Sequence, residues 1–242
     1  MNMTGFSDKG LVRSSNQDAF AIGTMDDGSQ WAVVCDGMGG ANGGNVASRL
    51  AVDHFSASLK AGYRSNMSEA SVKNLLETAV NAANIRVFDK SRESKELNGM
   101  GTTIVAVLII GSTAYFTHAG DSRAYCLTNG ELCQITRDHS IVQSMIENGK
   151  LTPEEARFHP RKNVITRALG VEETVVPEFN VYDLNPDDKL LLCTDGLTNY
   201  TDNEGIASVL TECSENPAER LVETANQNGG GDNITAVVIE NK

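Results

Sequence analysis

The longest unbroken apolar run in this 242-residue chain is Ile104 to Ile110. A helix that crosses a membrane needs about 20 such residues, so the sequence predicts no span. The start, Met1-Asn2-Met3-Thr4-Gly5, has neither the basic head nor the apolar stretch of a secretory signal. Basic residues are few: Lys plus Arg is 20 against 32 Asp plus Glu, a net charge of −12. Such a chain repels phosphate backbones and anionic lipid, which excludes a general nucleic-acid binder or a membrane-surface binder. A cation is the better ligand, provided the acidic residues converge. The five cysteines (35, 126, 133, 193 and 213) include no C-x-x-C, which argues against a zinc ribbon, and their odd count is no disulfide framework. Only Cys126 and Cys133 could pair, across the Asn129-Gly130 turn, and a cytoplasmic location, which the cysteine usage favours, opposes it. No internal repeat or linker interrupts the chain, so residues 1–242 are expected to form one domain, and 40% apolar with 21% charged residues is globular composition.

Strands and helices come in groups. Strands are predicted near 2–8, 17–23 and 31–35. Apolar residues at helical spacing predict helices over 44–61 and 69–91. β-Branched runs at 102–110 and 113–119 follow, then a hairpin with arms 123–128 and 131–136 about Asn129-Gly130. The stretch 138–170 reads as a polar flap. It has a short helix ending at Gly149 and a second opening with Thr152-Pro153-Glu154-Glu155, a capping box. Strands near 176–182, 189–194 and 234–240 alternate with helices at 202–212 and 217–227, the last opening with a second capping box at Asn216. Helices in pairs rather than after every strand predict an α+β fold with antiparallel sheets.

Four aspartates sit beside glycine or asparagine at the ends or starts of apolar strands: Asp36 (Asp36-Gly37-Met38-Gly39-Gly40), Asp121 (Gly120-Asp121-Ser122-Arg123), Asp195 (Thr194-Asp195-Gly196) and Asp232 (Gly231-Asp232-Asn233). In an antiparallel sheet the end of one strand adjoins the start of the next, so one arrangement brings all four to a single rim. Asp-Gly is also ordinary turn chemistry, as at Asp27-Gly28. Clustered carboxylates repel unless a cation neutralises them, and an oxygen-only set suits Mg²⁺ or Mn²⁺.

With Asp8-x-Gly10-x-Val12-Arg13-x-x-Asn16-Gln17-Asp18, Gly101-Thr102-Thr103 and Thr194-Asp195-Gly196-Leu197 added, these motifs run in order along nearly the whole chain. The sequence resembles the metal-dependent serine/threonine protein phosphatases of type 2C, the PPM family, in their short bacterial form. The resemblance implies a four-layer αββα sandwich, two central antiparallel sheets flanked by paired helices, with the 138–170 flap beside the site. It implies that Asp36 bridges two metal ions, that the Gly37 carbonyl binds one of them, and that Asp195 and Asp232 complete the first ion's shell. Asp121, with Asp195, would hold a third ion. Arg13 would grip the substrate phosphate, and Asp18 with Gln17 would lie near the second ion.

The implied activity is hydrolysis of phosphoserine and phosphothreonine on proteins by a water activated at a dinuclear Mn²⁺ or Mg²⁺ centre. Two cations screen the repulsion between a phosphate dianion and its nucleophile, and Arg13 adds a planar charged fork. No Cys-x5-Arg sequence supports a cysteine nucleophile. Two departures stand out. Met38 occupies a position where eukaryotic members often have a histidine general acid, and Gln17 replaces the usual glutamate. His159 and Arg161 are candidates for contacting the substrate's flanks, or for a solvated charge cluster. His118 reads as a packed histidine, His139 as a cap for the flap, and Arg123 as the partner of a nearby carboxylate. Cys35 and Cys193 read as core residues. The expected partners are phosphorylated proteins and a cognate serine/threonine kinase, with no nucleic acid, no membrane and a monomeric state. The rival readings are a same-fold phosphatase dedicated to one regulatory phosphoprotein and a catalytically inactive, metal-stabilised interaction module.

Overall fold

The computed structural model describes residues 1–213 and 215–241. In chain order its elements are β1 (Asn2–Asp8), β2 (Asp18–Thr24), β3 (Gln30–Met38), α1 (Gly40–Gly62) and α2 (Glu69–Ser91). Next come β4 (Gly101–Thr102), β5 (Ile104–Ile110), β6 (Thr113–Ala119), β7 (Arg123–Thr128), β8 (Glu131–Gln134), α3 (Ile141–Glu147) and α4 (Pro153–Arg157). The chain closes with β9 (Glu178–Asp183), β10 (Lys189–Cys193), α5 (Asp195–Thr198), α6 (Asn203–Glu212), α7 (Pro217–Gln227) and β11 (Ile234–Glu240).

Two sheets result, one ordered β1-β11-β10-β7-β8 and the other β2-β3-β5-β6-β9, with β4 paired to the end of β3. Every strand pair is antiparallel. The sheets stack face to face because their central strands are apolar on both sides. On β3, Trp31, Val33 and Cys35 face α1 and α2, while Ala32 and Val34 face the other sheet. On β11, Val237 and Ile239 enter the layer between the sheets, and Ala236 and Val238 pack beneath α6 and α7. Two-sided burial is why these strands read as unbroken apolar runs rather than alternating ones. The result is the expected αββα sandwich, with α1 and α2 outside one sheet and α6 and α7 outside the other.

Local chemistry explains most boundaries. Asn129 and Gly130 both take positive φ, 50° and 82°, which is the turn that two-residue hairpins prefer. The Thr152–Glu155 capping box forms in both directions. At α7 the expected second box is absent: Asn216 is left-handed (φ 50°) and its side chain makes no cap bond. His139 does not cap α3 either; Ser140 does, accepting the Gln143 amide. Helix α1 starts at Gly40, earlier than its apolar spacing predicts, because the first turn is glycine-rich and propensity gives no signal there. Gly37 of β3 and Gly44 of α1 pack too closely for a side chain at either: a Cβ on Gly37 would collide with the Gly44 carbonyl, and one on Gly44 would stand 2.6 Å from the Gly37 oxygen.

Candidate active site

Asp36 lies within β3, opposite Asp18 on β2. Its backbone is fixed on both sides: the N–H donates to Thr103 Oγ1 (2.9 Å), and the carbonyl accepts from the Thr103 N–H (2.9 Å) and Thr102 Oγ1 (2.8 Å). Thr103 Oγ1 also meets Ser122 Oγ at 2.6 Å, which ties Asp36 to the turn that carries Asp121. Asp195 opens α5, receives a hydrogen bond from Asn199 Nδ2 (3.0 Å) and lies within hydrogen-bond reach of Asp36. Asp232 precedes β11, the strand next to β10, so it arrives beside Asp195. Its Oδ1 accepts the Asn233 N–H (2.8 Å) and its Oδ2 accepts from Arg13 Nη2 (2.9 Å).

Arg13 reaches the site because Asn233 pins the loop that bears it. The Asn233 side chain donates to the Lys9 and Ser15 carbonyls, both at 2.9 Å, and accepts the Gln17 N–H at 2.8 Å. A cavity of about 340 Å³ opens above this floor, lined by Asp36, Asp121, Asp195, Asp232, Gly37 and Arg13, with Gln17, Met38, Thr103, Asn163, Ile165 and Asn233 among its walls. Four carboxylates thus face one guanidinium. Burial first, and then the neighbouring aspartates, push the Asp36 carboxyl well above its ordinary value. The same two causes raise Asp195 and move Asp121 to about 8. Crowded, desolvated carboxylates of this kind cost stability unless cations share the space. The donor set is oxygen only, and the Gly37 carbonyl joins it with no side chain in the way, so the residues fit Mg²⁺ or Mn²⁺ and not a thiolate-seeking metal.

The structure therefore brings together Asp36, Gly37, Asp121, Asp195, Asp232 and Arg13. Asp18 stands behind them and does not line the cavity. Its Oδ2 accepts from Thr194 Oγ1 (2.9 Å) and Thr235 Oγ1 (2.7 Å), and burial raises its carboxyl to about 7 despite those bonds. His159 and Arg161 also stay off the cavity wall; the Arg161 N–H bonds to His159 Nδ1 in the turn after α4. The same stretch contributes Asn163 and Ile165 instead, which sequence reasoning did not select. Arg123 pairs with Asp138 at 2.6 Å, as its charge suggested.

A second cluster lies behind the Gly120-Asp121 turn. The ring nitrogens of His118 and His139 and a Glu178 oxygen all come within 4.8 Å of one another. Proton bookkeeping and ring geometry argue against an ion there. His139 Nδ1 accepts the Gly120 N–H (3.1 Å), so its proton sits on Nε2, 3.1 Å from Glu178 Oε1. The two rings are parallel, 1° apart in tilt with centroids 4.7 Å apart. A ring nitrogen presents its lone pair in the ring plane, so stacked rings do not aim at one point. The cluster is a hydrogen-bonded strut: His118 donates through Nε2 to the Arg137 carbonyl, and burial lowers the basicity of both histidines.

Residues 12–226 match the family model described as protein phosphatase 2C. The serine/threonine phosphatase stp of Listeria monocytogenes is 37% identical over 237 residues, which is 97% of this chain and 93% of that protein. Among solved structures, the Streptococcus agalactiae serine/threonine phosphatase superposes with a TM-score of 0.91 at 35% identity, covering 98% of both chains. The catalytic domain of the serine/threonine protein phosphatase PstP, solved with two manganese ions, superposes with a TM-score of 0.85 at 36% identity, covering 98% of this chain and 96% of that one. A stacked pair of antiparallel sheets with an acidic rim defines a metal-dependent phosphatase architecture. This chain belongs to the protein phosphatase 2C family.

Proposed function

We propose that the protein hydrolyses phosphoserine and phosphothreonine on proteins, with Mn²⁺ or Mg²⁺ held at the acidic rim. The observation that carries this reading is the convergence of Asp36, Asp121, Asp195 and Asp232 on one cavity whose only lining cation among the described residues is Arg13. Asp36, the Gly37 carbonyl, Asp195 and Asp232 would hold two core ions, and Asp121 with Asp195 would hold a third. Asp18, behind Asp36, would support the second ion. When bound, such paired ions offset the phosphate charge and make water nucleophilic near neutral pH. Arg13 turns from Asp232 to the phosphate oxygens, its exposed guanidinium matching two of them. Thr103 and Ser122 keep Asp36 and the Asp121 turn in fixed relation. No histidine, lysine, tyrosine or cysteine lines the cavity among the described residues, and Met38 cannot donate a proton, so once cations keep the aspartates ionised the leaving alkoxide would take its proton from water in the site.

The substrates are phosphorylated proteins, products of a serine/threonine kinase, and the enzyme works in the cytoplasm as a monomer. The 138–170 stretch acts as a flap beside the site within a single domain. An inactive interaction module would need Arg13 only as the partner of Asp232, and a single exposed ion pair adds little stability. The test is release of phosphate from a phosphothreonine peptide with Mn²⁺ and with chelator, for the protein and for Asp36→Asn. Activity confined to the Mn²⁺ sample and lost in Asp36→Asn is expected. Near-normal turnover by Asp36→Asn at saturating Mn²⁺ would sink the assignment.

A further inference from the structure

A second cavity of about 630 Å³ shares the wall made by Met38, Asn163 and Ile165 with the acidic one. That volume falls within the roughly 300–1,000 Å³ of pockets that bury ligand groups. Its lining is more apolar than its neighbour's. Val164, Ala168, Val171, Val175 and Val176 contribute to it, beside the polar Thr166, Arg167, Glu172 and Thr174, and Val164, Val171 and Val176 are 41%, 52% and 74% exposed. Met38 and Val171 come close to Gly101: a Cβ there would stand 2.8 Å from Met38 Cε and 3.0 Å from Val171 Cγ2.

The groove is held open in advance. One wall, 163–168, is pinned by the Ile141 N–H to the Val164 carbonyl (2.9 Å) and the Thr166 N–H to the His139 carbonyl (2.7 Å). The other, from Gly170 onward, is pinned by buried Asn84 of α2. Its amide donates to the Glu172 and Glu173 carbonyls (3.1 and 3.0 Å) and its oxygen accepts the Gly170 N–H (2.8 Å). Arg167 joins the two walls, its Nη1 lying 3.3 Å from the Val176 carbonyl. Exposed aliphatic side chains kept apart by a rigid frame form a receptor for another aliphatic group.

We infer that this groove takes an aliphatic side chain of the phosphoprotein, close in sequence to the phosphorylated residue. The inference rests on the proposed phosphatase reading and names a part of its specificity. A chain whose phosphate sits over Asp36 and Arg13 must leave the cavity past one of its walls. Past the Met38–Ile165 wall lie Val164, Val171, Val175 and Val176, so a leucine, isoleucine, valine or methionine nearby is desolvated against them while a glycine gains nothing. The occupant is a piece of the substrate, because the two cavities adjoin across Met38, Asn163 and Ile165.

The test uses phosphothreonine peptides in a glycine–serine background, with one leucine moved residue by residue along both flanks. One position is expected to raise kcat/KM by roughly tenfold or more over the leucine-free peptide, the scale of filling an apolar pocket. Val171→Asp and, separately, Val176→Asp should abolish that gain. Turnover of p-nitrophenyl phosphate, which has no flanks, gives each variant's reference for site chemistry. A flat leucine profile with the parent peptide still hydrolysed overturns the groove and leaves the phosphatase reading intact. A flat profile with Val171→Asp changing the size of the protein in solution overturns it in favour of a second copy of the chain. Failure to hydrolyse any phosphopeptide with Mn²⁺ overturns the phosphatase reading itself and the groove's role with it.

Discussion

Arg13 is half exposed and holds Asp232 by a single nitrogen at 2.9 Å, so it can move to a phosphate without disturbing any packing. Arg13→Ala should raise KM for a phosphopeptide by roughly 10- to 100-fold, the scale of a lost charged hydrogen bond, with kcat changing far less. Steady-state kinetics decide it; a fall in kcat alone would place Arg13 on the transition state. A second residue-scale expectation concerns the β2–β3 turn. The Tyr63 hydroxyl donates to Asp27 Oδ2 at 2.7 Å and, with the Ser29 backbone bond, holds that carboxyl down at about 2. Because the folded value is depressed, the bond's contribution is complete above about pH 4 and is lost as pH falls through about 2. Tyr63→Phe should return Asp27 toward about 4, read by NMR titration of the carboxyl. At this scale the sequence exposes what is written contiguously. The aspartate motifs were legible because chemistry and turn sit within a few residues. The bonds from Asn233 to Lys9 and Ser15 span 224 and 218 residues, and nothing in an Asp-Asn pair announces such partners. His159 and Arg161 show the converse, since their charge and position within the flap say nothing about which way they face.

Helix α2 is an example of an element legible along its whole length, from Ser68 as cap to Ser91, because its apolar face repeats without glycine. One of its buried residues breaks that face: Asn84. Its three bonds to the 170–173 backbone make α2 a support for the groove as well as for the core. Asn84→Ala leaves two carbonyls and an amide without those partners and should lower stability by about 2–3 kcal/mol, seen as an earlier urea midpoint. The peptide leucine preference should weaken in parallel, since one wall is freed. The glycine-rich start of α1, the single turn α5 and the left-handed Asn216 were not legible. Each is set by a neighbour: the Gly37 carbonyl against Gly44, the Asp195 position that β10 dictates, and the sharp entry into α7. Pattern rules have no term for such constraints.

For the molecule as a whole, the layers were readable from the pairing of helices and the two-sided apolar strands, whereas which strand adjoins which was set by contacts far apart in sequence. Its acidic rim has a thermodynamic signature. The raised carboxyls of Asp121, about 8, and Asp18, about 7, bind more protons in the folded than in the unfolded chain between about pH 4 and those values. These carboxyls make the metal-free protein lose stability as pH rises across that range, the opposite of an ordinary salt-bridged aspartate, while His118 and His139, whose basicity burial lowers, act the other way below about pH 6.5. Thermal melts in chelator at pH 5.5 and pH 8 should show the lower melting temperature at pH 8. Saturating Mn²⁺ should raise the pH 8 value more than the pH 5.5 value, because cations then take the place of the protons. Equal melting temperatures at the two pH values in chelator would mean the carboxyls are not strained by one another.

The pairing of β1 with β11, Asn2 opposite Glu240 and Asp8 opposite Ile234, has a consequence for how the protein is made. During translation β1 is made long before β11, yet among the described residues its sheet partner is β11. Asp232 and Asn233, which complete the acidic rim and pin the Arg13 loop, come with that strand. A nascent chain already carrying Asp36, Asp121 and Asp195 would have neither its first sheet closed nor its arginine in place. On the proposed assignments, hydrolytic capacity then waits until β11 has been made, and a product terminated before that strand is silent rather than an unregulated phosphatase.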